Sequence, residues 1–255
     1  MFNLGSSVEL LTAGNRAADD GVHRRAVKLF RRALKRGSID AALNLGNSLL
    51  ALGDVAGAVV AFRTGWTQGD ADAGYNLAVA LEDSGGIEPA FEVYAELTRV
   101  GYAAAAIQLA WLLRSRGAEA KAEDMLRDAT HDQGEAGDLA SGTLGHWLHS
   151  TGNREPSTRA LLARGAEAYP TARVDMAELM FELGSDVEAL EMLREGATKG
   201  ETESMLPLGN YHWERGDLDE AQNLYERARV LGDRNSAENL EVLLEEKRGR
   251  DAQMS

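Results

Sequence analysis

Glycine recurs in this chain with a fixed period. Gly21, Gly53, Gly85, Gly117, Gly152, Gly184 and Gly216 are 32 residues apart, except for one interval of 35. Five positions after each stands a small residue: Ala26, Ala58, Ala90, Ala122, Ser157, Ala189 or Ala221. Nine positions after each stands a large apolar one: Phe30, Phe62, Tyr94, Leu126, Leu161, Leu193 or Tyr225. Eight positions before the last six glycines come Leu45, Leu77, Leu109, Leu144, Met176 and Leu208, each followed by glycine or alanine (Gly46, Ala78, Ala110, Gly145, Ala177, Gly209). Columns that stay in phase along most of 255 residues identify an internal repeat. A repeat of this length is one supersecondary unit that buries its apolar face only by stacking on its neighbours.

The spacing inside each unit is helical. Leu45-Gly46-Leu49 and Leu109-Ala110-Leu113 recur at three to four residues before the glycine, and Ala26-Phe30-Ala33 and Ala221-Tyr225-Ala228 do so after it. The glycine between the two stretches supplies the left-handed residue that ends a helix. Pro89 and Pro156 fall near the start of second helices, where a missing N–H costs little. A second glycine (Gly37, Gly69, Gly101, Gly200, Gly232) closes most units, and alternating strand patterns are absent. The pattern predicts an all-α fold: a right-handed α-solenoid of seven helix-turn-helix repeats and a C-terminal capping helix. Units are expected near 7–37, 39–69, 71–101, 103–134, 138–168, 170–200 and 202–232, with the cap at 234–248. One solenoid domain then covers 1–248 and leaves 249–255 as a flexible tail. The interval of 35 places three extra residues within 130–138, where a longer loop is expected.

The column order resembles tetratricopeptide repeats, with a lean toward the related Sel-like repeats. Leu208-Gly209-Asn210, Gly216-Asp217-Leu218-Asp219-Glu220-Ala221 and Tyr225-Glu226-Arg227-Ala228 carry the tetratricopeptide likeness, while Gly69-Asp70-Ala71-Asp72-Ala73 leading into Asn76-Leu77-Ala78 is similar to the Sel-like linker. The period of 32 is shorter than usual in either family, and the proline that commonly closes a tetratricopeptide unit is missing except at Pro170. The resemblance implies protein-interaction scaffolding. It also implies that a second stripe on each first helix lines a concave groove.

That stripe contains Asn47, Tyr75, Trp111, Arg114, His146, His149, Glu178, Phe181, Asn210 and Trp213. Aromatic residues and arginine are common interface anchors, so these positions are expected to hold a peptide or protein segment, the asparagines bonding its backbone. The alternatives are rings packed between neighbouring first helices and asparagines that are merely solvated. Asp40, Asp72, Glu82, Asp83, Glu178, Glu182, Glu203 and Glu214 make the stripe acidic, which favours a partner that is apolar with some positive charge. Some tetratricopeptide grooves hold a C-terminal carboxylate with basic residues. Leu43, Asp72 and Tyr75 beside Asn47 and Asn76 argue against that here. His146 and His149 share a helix face and could ligate a metal with a third ligand from Glu178 or His131. No metal motif is complete, so the pair reads as hydrogen-bonding residues and no metal or cofactor is expected.

Charge is unevenly distributed. The formal net charge is −14, yet residues 1–36 carry eight basic and three acidic side chains. Arg24, Arg25, Lys28, Arg31, Arg32, Lys35 and Arg36 lie on one second helix whose apolar face (Val27, Phe30, Leu34) is committed to the repeat. This basic face reads as a solvated surface, or alternatively as a site for self-association (against the glutamate-rich C-terminal end of another copy) or for a polyanion. The acidic total makes nucleic acid an unlikely partner. Zero cysteines exclude thiolate chemistry. No phosphate loop, nucleophile elbow or zinc-protease motif occurs, so no enzyme is expected. A start without a basic, apolar leader and no membrane-length apolar run point to a cytoplasmic protein with no membrane partner.

Overall fold

The computed structural model describes residues 6–254, with side chains as far as residue 250. All regular structure among the described residues is α-helical. The elements are α1 (Ser7–Asp19), α2 (His23–Leu34), α3 (Ala41–Leu50), α4 (Val55–Trp66), α5 (Ala71–Asp83), α6 (Ile87–Arg99), α7 (Ala103–Ser115) and α8 (Glu119–Ala129). They continue with α9 (Glu135–Ser150), α10 (Pro156–Gly165), α11 (Pro170–Glu182), α12 (Asp186–Lys199), α13 (Thr202–Glu214), α14 (Leu218–Val230) and α15 (Arg234–Met254). None of the described helices is long and apolar enough to cross a membrane. The helices gather into two compact units that divide between Ala122 and Glu123, inside α8.

In the N-terminal unit α1 to α7 pack in succession, each of α1 to α6 on the next, and the first helices α1, α3 and α5 also pack side by side. In the C-terminal unit each of α9 to α15 packs on the next, and α9, α11, α13 and α15 form a row in contact. Helical-repeat stacking therefore holds in both units.

Turn chemistry explains the helix boundaries. All seven pacing glycines, and the five that close units, have φ between 72° and 97°, a region other residues enter only with strain. Several are followed by an aspartate that caps the next helix. Asp54, Asp70 and Asp217 accept from the backbone N–H of Gly57, Ala73 and Glu220. Asp233 accepts likewise from Ser236 at 2.6 Å. Such caps are worth about 1 kcal/mol each.

The paired columns meet inside each hairpin. Phe30, Phe62 and Tyr225 are fully buried against Gly14, Gly46 and Gly209, where a Cβ would fall 2.2–2.5 Å from the ring. The small residue in the first helix is thus the socket for the ring in the second.

Three details differ from the sequence reading. The buried positions of α10 are Thr158, Leu162 and Gly165, while Ser157 is exposed and Leu161 only half-buried. The turn before α10 holds one residue more than the pattern assumes, and Pro156 sets the helix start. The three extra residues lengthen a helix more than a loop, since the connection is only residues 130–134 and α9 begins at Glu135 with 16 residues. Arg164 holds that connection, its guanidinium donating to the Asp138 carboxylate at 2.8 Å and to the carbonyls of Thr130 and Asp132. Finally, α15 continues to Met254, past the expected cap end at 248. Residues 1–5 and 255, and the side chains of 251–254, lie outside the described residues, so the expected leaderless start and part of the expected tail fall there.

Candidate functional site

Each unit presents a face built from its first helices, and the sequence-derived residues divide between the two. In the N-terminal unit, Asn47 (α3) is exposed, and its carboxamide oxygen accepts from Asn76 at 3.3 Å. Asn15 accepts from Asn44 in the same way at 3.0 Å. Asn15, Asn44, Asn47, Ser48, Asp19 and His23 line a cavity of about 350 Å³. Tyr75 (α5) is half-buried between Tyr94 and Tyr102, at centroid distances of 6.0 and 5.7 Å. Burial pushes the Tyr94 and Tyr102 hydroxyls up, helped by their hydrogen bonds to Glu82 and Asp72. Trp111 (α7) is 39% exposed, and Arg114 one turn later is half-buried.

On α2 and its C-cap, Arg24, Arg25, Lys28, Arg31, Arg32 and Lys35 are all exposed, and none forms an ion pair with a described residue. Arg36 is exposed and engaged.

In the C-terminal unit the row α9, α11, α13 brings together a polar cluster and an aromatic ledge. His146 Nδ1 lies 2.7 Å from Asp175 Oδ2, and a carboxylate accepts only, so this nitrogen carries the proton and donates. His149 is buried, with Nδ1 3.5 Å from the other oxygen of Asp175 and Nε2 buried without a partner. Glu178 lies one turn beyond Asp175 and is exposed. His131 is elsewhere, bonded to the carbonyls of Arg127 and Asp128. Arg154 donates to both oxygens of Glu182 and to the carbonyl of His149, and its hydrogen bonds hold the Glu182 carboxyl below the usual range.

Farther along the row, Phe181 and Tyr211 stack with centroids 5.9 Å apart and planes at 21°. The Arg215 guanidinium sits 3.5 Å over the Tyr211 ring. Both rings are half-buried. Trp213 is also half-buried, but its indole N–H donates to Glu246 on α15 at 2.7 Å and its ring meets Tyr225 edge-on. Asn210 accepts from the Tyr225 hydroxyl at 2.6 Å and from Asn239 at 3.0 Å.

A rule links these contacts. Asn15–Asn44, Asn47–Asn76, His146–Asp175 and Asn210–Asn239 each span 29 residues, one period less three. The side chain six before one glycine meets that nine before the next, forming a polar ladder between successive first helices. Asp175, Tyr211 and Arg215 are absent from the sequence-derived set. Nine before the glycine the chain has Asn44, Asn76, Gln108, Thr143, Asp175 and Pro207, a mostly polar column that does not by itself single out Asp175.

Stacked helical hairpins with glycine-aspartate turns define the class, a helical-repeat protein. Residues 39–64 and 203–227 match the tetratricopeptide repeat family. A 46-residue stretch is 46% identical to an F-box protein of Arabidopsis thaliana, covering 18% of this chain and 13% of that one. Among solved structures, c5321, a protective antigen of uropathogenic Escherichia coli with an SLR fold, superposes with a TM-score of 0.63 at 22% identity. It covers 92% of this chain, which spans 56% of that one. A tetratricopeptide repeat protein from Parabacteroides merdae gives 0.62 at 15% identity, covering 93% and 98% of the two chains. A Sel1 repeat protein from Oxalobacter formigenes gives 0.63 at 19%, covering 76% and 86%. Two segments thus match the tetratricopeptide repeat model, and the chain shares its helical-repeat fold with solved tetratricopeptide and Sel-like repeat structures. Repeat folds of this kind are generally protein-interaction scaffolds and typically lack enzymatic activity.

Proposed function

We propose that the protein is a scaffold that holds a peptide or protein segment on the first-helix face of its C-terminal unit. The observation that carries this reading is the half-buried cluster of Phe181, Tyr211 and Arg215, set on adjacent first helices. Side-by-side packing of α9, α11 and α13 supports it, because the row of closer helices forms the inner wall of a curved stack. A half-buried aromatic pair offers apolar area at low entropic cost. The exposed carboxylates of Glu178, Glu203 and Glu214 on the same helices favour a segment that is apolar with scattered lysine or arginine. Trp213 and Asn210 support the wall from behind through α15 and Tyr225, and Asn47, Tyr75, Trp111 and Arg114 offer the N-terminal unit a face of its own.

A peptide-display selection on the intact chain, followed by anisotropy titration of the selected peptides, tests the proposal. Basic, apolar peptides should be enriched, and Phe181→Ala/Tyr211→Ala should weaken them at least tenfold while the helical circular dichroism is retained. Selection of peptides that bind the double variant equally well would sink the assignment.

A second reading rests on the six cations of α2 and its C-cap that form no ion pair with a described residue. Such a face would recruit an acidic partner, including the acidic C-terminal end of another copy. Light scattering at low and high salt, on wild type and Arg31→Glu/Arg32→Glu, decides it. Salt-sensitive assembly that the variant abolishes supports the reading, and a salt-insensitive monomer in both ends it.

A further inference from the structure

We infer that His149, Asp175 and Glu178 form a binding site for a divalent transition-metal ion of the Zn2+ class, with His146 as its orienting neighbour. The inference does not depend on the face also holding a protein segment.

The donor geometry is the first ground. Ligand atoms of the three residues all lie within 4.8 Å of one another. His149 Nδ1 and Asp175 Oδ1 are 3.5 Å apart, too long for a good hydrogen bond. Two ligands bound to one ion at about 2.1 Å, with an angle of roughly 90–110°, would sit about 3.0–3.4 Å apart. The observed pair is therefore close to the spacing of two ligands on one ion. Glu178 is exposed and can rotate its carboxylate inward to close the third position.

The second ground is the state of His149. Its side chain is 6% exposed, and Nε2 is buried with no partner. With Nδ1 beyond ordinary hydrogen-bond length of Asp175, neither ring nitrogen has a normal bond. A buried imidazole left in that condition is costly, and a cation between it and Asp175 would engage the nitrogen that faces the carboxylate.

The third ground is what surrounds the donors. The His146 Nδ1–H bond to Oδ2 fixes Asp175 so that Oδ1 faces His149. Metal sites commonly orient a ligating group with such a second hydrogen bond. Arg154 does not occupy the place of the cation, because Glu182 and the His149 carbonyl take its donors. Arg154 interacts with Asp175 and Glu178 only through space, so both carboxylates keep oxygens free to ligate an ion beside the two histidines. One imidazole and two carboxylates suit Zn2+, Co2+ or Mn2+ better than soft ions.

The experiment uses the full chain without a histidine tag, stripped with a chelator and titrated with Co2+, then with Zn2+ as competitor. One equivalent of Co2+ should produce visible d–d absorption that Zn2+ abolishes. Glu178→Gln, a surface change with no folding risk, should weaken binding about tenfold, and His149→Ala at least as much. His146→Ala should weaken it by about 10–100-fold as a positioning residue. His131→Ala should leave it unchanged. Absence of a saturable visible band overturns the inference, and so does equal Co2+ affinity in wild type and Glu178→Gln.

Discussion

Gly46→Ala tests the socket that pairs the two helices of a hairpin. The substitution adds one methyl group to α3 where Phe62 of α4 is fully buried. That Cβ would lie 2.2, 2.4 and 2.7 Å from Cε1, Cδ1 and Cζ of the ring, against an ordinary contact of 3.4–4 Å. Relief therefore needs the ring or the helix to move by on the order of 1 Å, and a close-packed interior resists it. Overpacking of this kind costs about 1–3 kcal/mol. Alanine opposes the loss with about 1 kcal/mol of helix propensity. The overlap with three ring atoms puts the packing cost near the upper end, so a net loss of about 1–2 kcal/mol is expected. Urea denaturation followed by circular dichroism and by tryptophan fluorescence measures it. Phe62→Leu in the same background should recover part of the loss, as at Ala177 and Leu193, which share a buried cluster. A Gly46→Ala protein as stable as wild type, or more stable, would refute the socket and return Gly46 to the role of a mere helix weakener.

Asn210→Ala removes the acceptor for both Tyr225 and Asn239 and should destabilise the C-terminal unit by about 1–3 kcal/mol in chemical denaturation. Arg164→Ala frees the 130–134 connection from its three acceptors, and amide exchange there should rise while α14 and α15 keep their protection. Acid should loosen the same unit. Glu167, Glu182, Asp219 and Glu246 are all held below their ordinary values by hydrogen bonds, chiefly from Lys199, Arg154, Lys247 and Trp213. A lowered folded-state value stabilises above the unfolded pKa and is lost as pH falls through the folded one. Melting temperature should hold from neutrality to about pH 5 and fall below about pH 4. The decline should be weaker in Arg154→Ala, which lacks one of the four pairs.

Much of the fold was legible because a few positions have no alternatives. Gly53 and Gly184 take a φ that only glycine adopts freely, so their spacing in sequence is their spacing in structure. Phe62 and Gly46 likewise read directly as ring and socket. Register failed where one residue shifted the frame, at Ser157 and Thr158, because exposure and burial there differ by a single step of the helix. The 35-residue interval was legible as an insertion, but not as an extra helical turn of α9, since Gly134 and Gly137 both suggest a loop and the Arg164 contacts to this segment come from another helix. The candidate site was legible only in outline. His146, His149, Glu178 and Phe181 were identifiable as one face of successive helices. Asp175 and Tyr211 were not, because their partners lie on the neighbouring repeat, and contacts 29 residues away follow from stacking geometry rather than local pattern.

The direct test of the central claim is a hydrogen-exchange footprint of the intact chain with a display-selected peptide at saturation. Binding on the first-helix face of the C-terminal unit predicts added protection in α9, α11 and α13, centred on Phe181 and Tyr211, with α10, α12 and α14 little changed. Protection confined to α2, or to the second helices of either unit, would contradict it.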